Sequence, residues 1–195
     1  MVKIMSIRCF IAIEIENAST LSEILKVKHY LESLDLDIKP VEDENVHLTL
    51  RFLGHISLSA IELVKKILDS IAQQTSRFEI EVRGLGAFPS YTKPRVIWVG
   101  IGKGADQLYN LRKTIDIEIQ RKSLREVFED QHEFSPHITL ARVRSFKNIN
   151  SFYELYRRYH DYCFGSSSVT KIKLKQSILT PNGPIYKDIH VVELR

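Results

Sequence analysis

Cysteine is nearly absent from this sequence. Of 195 residues only two are cysteines, Cys9 and Cys163, with no CxxC pair. A disulfide scaffold and a cysteine-rich zinc site are therefore excluded, and a reduced, cytosolic compartment is expected, with both thiols acting as small buried hydrophobes. Long apolar runs are missing too. No stretch reaches the roughly 18 residues needed to span a bilayer, so no membrane partner is expected. The opening MVKIMSIRCFIAIEIE resembles a signal segment only briefly. Glu14 and Glu16 interrupt it, no small-residue cleavage site follows, and its alternation suits a strand. Phosphate-cradling loops are absent as well. VGIGKGAD contains neither GxxxxGK[ST] nor a complete GxGxxG and reads as a strand-to-helix turn. Charge is modest: the net +4 and pI of about 9.0 suit an anionic partner such as RNA without requiring one.

With 44% hydrophobic residues the chain can bury a core as one domain of two small lobes. Residues 6–15 alternate as a strand. T20-L-S-E23 reads as a capping box opening a helix to about Leu34, with Leu21, Ile24, Leu25, Leu31 and Leu34 on one face. A turn through Pro40 and the acidic EDEN leads into a strand at 45–53. S59-A-I-E62 caps a helix to about Gln74, and RFEIEVRGLGAF is another strand. From RVIWVGI at 95–101 the order starts again: a helix over about 105–122, the charged loop LREVFEDQHE, the strand FSPHITLARVR, and a helix over about 149–160. The long strand SVTKIKLKQSIL follows, and an Asn-Gly turn in TPNGP returns the chain as the strand IYKDIHVVEL. Both halves, about 6–90 and 95–195, read strand, helix, strand, helix, strand within a single domain.

HLTL at 47–50 recurs as HITL at 137–140, in the same slot of each half. With 7 His and 8 Thr in the chain, chance predicts roughly 0.3 His-x-Thr pairs. Two copies in register therefore point to a paired site. Strand periodicity sends His47 and Thr49 to one face and His137 and Thr139 to one face. Lining one groove from opposite sides, two imidazoles suit in-line displacement at phosphorus. One takes the nucleophile's proton, the other protonates the leaving oxygen, and the hydroxyls bind non-bridging oxygens. The scheme uses no metal and no cofactor. Arg51, at even spacing from His47, shares its face and is a candidate RNA contact. Arg142 turns to the opposite face of a regular strand, so it reaches a phosphate only across a bulge or bend. Phe52, Phe88 and Tyr91 have faces on which bases can stack, though core packing suits the phenylalanines better. His29, His55, His132, His160 and His190 share no spacing logic and read as structural or exposed, and KTIDIEIQRKSLR reads as a solvated helix face. The bland alternatives are two solvated strand histidines, or a zinc site, for which the sequence offers no recognisable third ligand.

HLTLRFLG, FPSYTKPRVIWVG, PHITLAR and LTPNGPIY together resemble the 2H phosphoesterases, and within them the RNA 2′,3′-cyclic phosphodiesterases, also called 2′-5′ RNA ligases. The likeness covers nearly the whole chain. It implies a bilobal α+β fold in which pseudo-twofold-related lobes of antiparallel sheet and helices surround a central cleft. It also implies His47 as proton donor, His137 as proton acceptor, Thr49 and Thr139 as phosphate holders, and Arg142 as a phosphate contact. The substrate it implies is RNA with a 2′,3′-cyclic phosphate end, and the expected state is a monomer. Two other functions stay open at this point: a non-catalytic RNA-binding module, and a phosphodiesterase for small cyclic nucleotides.

Overall fold

The computed structural model describes residues 6–127, 133–181 and 183–195. Nine strands and four helices are defined there: β1 Ser6–Ile13, α1 Ala18–Ser33, β2 Ile38–Pro40, β3 Leu48–Ser57, α2 Leu58–Gln74, β4 Phe78–Phe88, β5 Val96–Ile101, α3 Ala105–Arg121, β6 His137–Val143, α4 Ile149–Tyr159, β7 Cys163–Val169, β8 Lys171–Thr180 and β9 Gly183–Glu193. His132, the centre of the charged loop and the asparagine of the Asn-Gly turn lie outside the described residues.

The strands run in the order β7-β4-β5-β6-β3-β1-β8-β9, with β2 attached to β6. Every described pairing is antiparallel. A four-stranded lobe (β3, β1, β8, β9) and a five-stranded one (β7, β4, β5, β6 and β2) meet at β3 and β6, which share a single paired position, Leu48 opposite Ile138. The expected architecture is thus present, with a refinement: the lobes are continuous through that junction. Strand order also departs from chain order. β4 follows the first HxT strand but joins β5 and β7 in the second lobe, while β8 crosses back to pair with β1.

Local chemistry sets the element ends, and several differ from the sequence expectation. Asn17 caps α1, its side-chain oxygen accepting from Thr20 N, so the helix starts before the TLSE box. Thr20 is inside the helix, donating its hydroxyl to Ser166 O. Ser57, not Ser59, caps α2 through a bond from Ala60 N. In both cases the capping oxygen lies three residues before the amide it satisfies, which the box reading placed too late. SVTKIKLKQSIL is two strands. Val169 ends β7 opposite Phe78, and Lys171 begins β8 opposite Glu193. Between them Thr170 gives its N–H and hydroxyl to Glu16, leaving the ladder where the chain changes lobes. Cys9 is buried as expected, whereas Cys163 is exposed at the start of β7, where its alternation faces outward.

Candidate active site at the junction of the lobes

His47 immediately precedes β3 and His137 opens β6, so the Leu48–Ile138 pairing brings the two HxT segments side by side. The histidines are held alike. His47 Nδ1 lies 2.6 Å from the carbonyl oxygen of Asn45, and His137 Nδ1 lies 2.6 Å from that of Ser135. A carbonyl only accepts, so each Nδ1 carries a proton and each Nε2 presents its lone pair. Thr49 Oγ1 stands 3.0 Å from His47 Nε2 and is the donor in that bond.

Aromatic rings fix both imidazoles. Phe10 and Tyr186 lie 5.0 and 5.3 Å from His47, and Phe88 and Trp98 lie 4.9 and 6.1 Å from His137. Burial in these surroundings disfavours the charged ring and lowers His47 to about 4, the positive potential of Lys175 and His137 adding to it. His137 is lowered too, first by burial and then by the Arg142 charge. Both rings are therefore neutral in the free protein near pH 7.

A pair of matching bulges sorts the arginines. Opposite β1, Ile11 pairs with Arg51 but Ala12 with Thr49, so Leu50 is an extra residue in β3. Opposite β5, Ile97 pairs with Ala141 but Trp98 with Thr139, so Leu140 is an extra residue in β6. Each bulge lies just past the HxT threonine and reverses the alternation beyond it. Arg142 is thereby exposed, on a face whose charge reaches His137 and Tyr186. Arg51 is turned away from His47, contrary to the even-spacing expectation. It is buried, and its Nε lies 2.9 Å from Asp116 Oδ1. Asp116 also holds Arg112 through its Oδ2 at 2.7 Å, and Arg112 Nη1 donates to the carbonyl of Leu50, the bulge residue, at 2.7 Å. Arg51 belongs to the clamp behind the bulge. The residue beyond it, Phe52, is exposed and lies 6.0 Å from the Phe10 ring, so it shares the histidine face.

His47, Thr49, His137, Thr139 and Arg142 are thus brought together, and Arg51 is not. Phe10, Tyr186 and Trp98 were missed as neighbours of the imidazoles. Tyr186 stood within the quoted LTPNGPIY, but its contact depends on where β9 lies against β8. Of the remaining described histidines, His29 pairs with Asp43 and His190 with Asp69, while His55 and His160 are exposed. Among the described residues no group of three or more His, Cys, Asp or Glu is arranged to hold a metal. No helix there is long and apolar enough to cross a membrane.

A two-lobed α+β fold with paired histidine–threonine strands at its junction defines the class of the 2H phosphoesterases. Within that class the chain belongs to the LigT like phosphoesterase family, whose model matches twice, over residues 15–98 and 99–186. It is 45% identical over 157 residues to the RNA 2′,3′-cyclic phosphodiesterase of Aeropyrum pernix, covering 80% of this chain and 86% of that one. To the protein of the same name from Archaeoglobus fulgidus it is 35% identical, covering 95% of this chain and 99% of the relative. Among solved structures, a Thermus thermophilus protein superposes with a TM-score of 0.80 at 24% identity over 96% of this chain and 98% of its own. Escherichia coli LigT complexed with 3′-AMP gives 0.76 at 22% identity, covering 97% and 99%.

Proposed function

We propose that this protein hydrolyses RNA 2′,3′-cyclic phosphate ends to 2′-phosphates by two-histidine acid–base catalysis, with 2′-5′ ligation as the same reaction run with a different nucleophile. The observation that carries this reading is the matched pinning of both imidazoles. Each has Nδ1 fixed on the carbonyl two residues back, which turns each Nε2 the other way, His47 Nε2 accepting from Thr49 Oγ1 until a substrate takes its place. The relatives' names supply the substrate class.

In the scheme, the cyclic phosphate lies between the rings. His137 takes a proton from water as it attacks phosphorus, and His47 gives a proton to O3′ as the strained ring opens. Thr49, Thr139 and Arg142 hold the non-bridging oxygens, where charge builds in the transition state. The anionic phosphate favours a proton on an imidazole that burial otherwise keeps neutral, so the acid is charged on substrate binding. Every step uses side chains of this one chain, which we take to act as a monomer in the cytoplasm.

The test is a short RNA carrying a 2′,3′-cyclic phosphate, digested in excess EDTA, with 2′- and 3′-phosphate products separated by chromatography. A 2′-phosphate alone is expected. A 3′-phosphate or a mixture overturns the orientation, and activity that EDTA removes and Zn²⁺ or Mg²⁺ restores overturns the metal-free scheme.

A further inference from the structure

Beside His137 the second lobe carries a groove of about 500 Å³, within the range of small-molecule sites. It begins at Ser135 and Pro136, the residues just before His137, and runs along β4 and β5 toward α3 and α4. Its floor is made by glycines. Trp98 pairs with Gly86, and a Cβ on Gly86 would coincide with the indole; one on Gly100 would lie 3.1 Å from Trp98 Cζ3. The indole therefore lies down on bare backbone instead of standing up, and the space above stays open. Tyr91, Tyr109 and Tyr156 form the walls, with Tyr91 stacked on Tyr156 at 4.6 Å and exposed to solvent. A flat aromatic floor and phenolic walls suit a ring with polar edges.

We propose that this groove is an acceptor subsite, binding the nucleoside whose 5′-hydroxyl takes the place of water at phosphorus. The assignment rests on the proposed function, because His137 is there the group facing the nucleophile. In an in-line displacement the nucleophile's remaining atoms lie on the side away from the leaving O3′, which is the His137 side. The O5′–P bond forms as the P–O3′ bond breaks. The O5′ proton passes to His137 Nε2, and His47 supplies the proton for O3′. The products are a 2′-5′ phosphodiester and a free 3′-hydroxyl, with ring strain as driving force and no nucleotide triphosphate required.

Trp98 is the single tryptophan of the chain, so its fluorescence reports the groove directly. Titration of the wild-type protein with the 5′-hydroxyl dinucleotide ApA is expected to quench that emission, with adenosine 2′,3′-cyclic phosphate at saturation failing to displace the dinucleotide. Tyr91→Ala, on an exposed loop, is expected to weaken dinucleotide binding about tenfold and to lower the ratio of ligation to hydrolysis by a similar factor. Absence of quenching by ApA, or its competitive loss to the cyclic nucleotide, overturns the acceptor assignment. If ApA quenches and Tyr91 matters, yet no cyclic-phosphate RNA is hydrolysed, the groove stands as a nucleoside site and the proposed reaction falls. A Tyr91→Ala protein that binds ApA as well as the wild type overturns the role of the tyrosine wall.

Discussion

The two lobes use one backbone plan and fill it differently. Ala12 pairs with Thr49 in the first lobe as Trp98 pairs with Thr139 in the second, and the next strand places Lys173 across from Ala12 and Gly86 across from Trp98. In the first lobe that face is closed by ions. Lys173 and Lys175 are each bound to both Glu14 and Asp188, at 2.5–2.8 Å, and the charges of the four groups cancel. In the second lobe glycines and one recumbent indole leave a groove. The lesson is that two similarly bulged strands deliver two similarly held histidines, while the neighbouring strands decide which side of the proposed phosphate site has open space.

Removing either histidine breaks the symmetry of the pair most severely. His47→Ala and His137→Ala are each expected to lower turnover by at least about 10²-fold, the low end for a positioned acid or base, with folding retained. Single-turnover rates on a cyclic-phosphate RNA check this, and a variant with near wild-type turnover removes that histidine from the mechanism.

The two bulges give the next contrast. Arg51→Ala strips one partner from a buried charged clamp and is expected to destabilise the fold by about 3–5 kcal/mol. Arg142→Ala, on an exposed side chain past the equivalent bulge, is expected to leave stability nearly unchanged and to weaken use of substrate about 10- to 100-fold, the worth of a hydrogen bond to a charged group. Urea unfolding and kcat/KM measured on both proteins separate the roles. An Arg51 variant of normal stability with a raised KM would restore the role that spacing suggested.

How much was legible in the residues follows from these same elements. Paired HxT motifs are local, and their strands and flanking helices carry strong periodicity, so the two-lobed plan and the cluster at the junction were readable. Arg51 was misread because a period-2 pattern has no sign of a bulge: Leu50 is as apolar as a regular core residue. Arg142 was read with the right condition, and the extra Leu140 meets it. The capping shifts arose because Asn17 and Ser57 lie before the apolar periodicity begins. β7 was missed because only its last two residues, Ser168 and Val169, fall in the alternating run SVTKIKLKQSIL, while the preceding CFGSS is too rich in small and polar residues to show a strand pattern. The groove was illegible because it depends on which glycine an indole lies upon, a relation between β4 and β5 that no single stretch contains.

The smallest expected effect comes from unequal burial of the two rings. His47 titrates near 4 in the folded protein, against about 6.5 for a solvated histidine. Above pH 6.5 the ring is neutral in both folded and unfolded chains and contributes no pH dependence. As pH falls from 6.5 toward 4, the unfolded chain takes up a proton that the folded protein refuses, so stability drops across that window. About two units of displacement at pH 4.5 amount to roughly 2–3 kcal/mol. His47→Gln cannot take up that proton in either state. Comparing urea midpoints at pH 7 and pH 4.5 should therefore show the wild type losing about 2–3 kcal/mol more than the variant. The same displacement predicts that kcat/KM rises as pH is lowered from 7 toward 5, because one of two neutral rings must gain a proton for the chemistry to proceed. Equal losses in the wild type and His47→Gln would mean that the ring is solvated, and with it the contrast between a closed first lobe and an open second lobe would lose its electrostatic consequence.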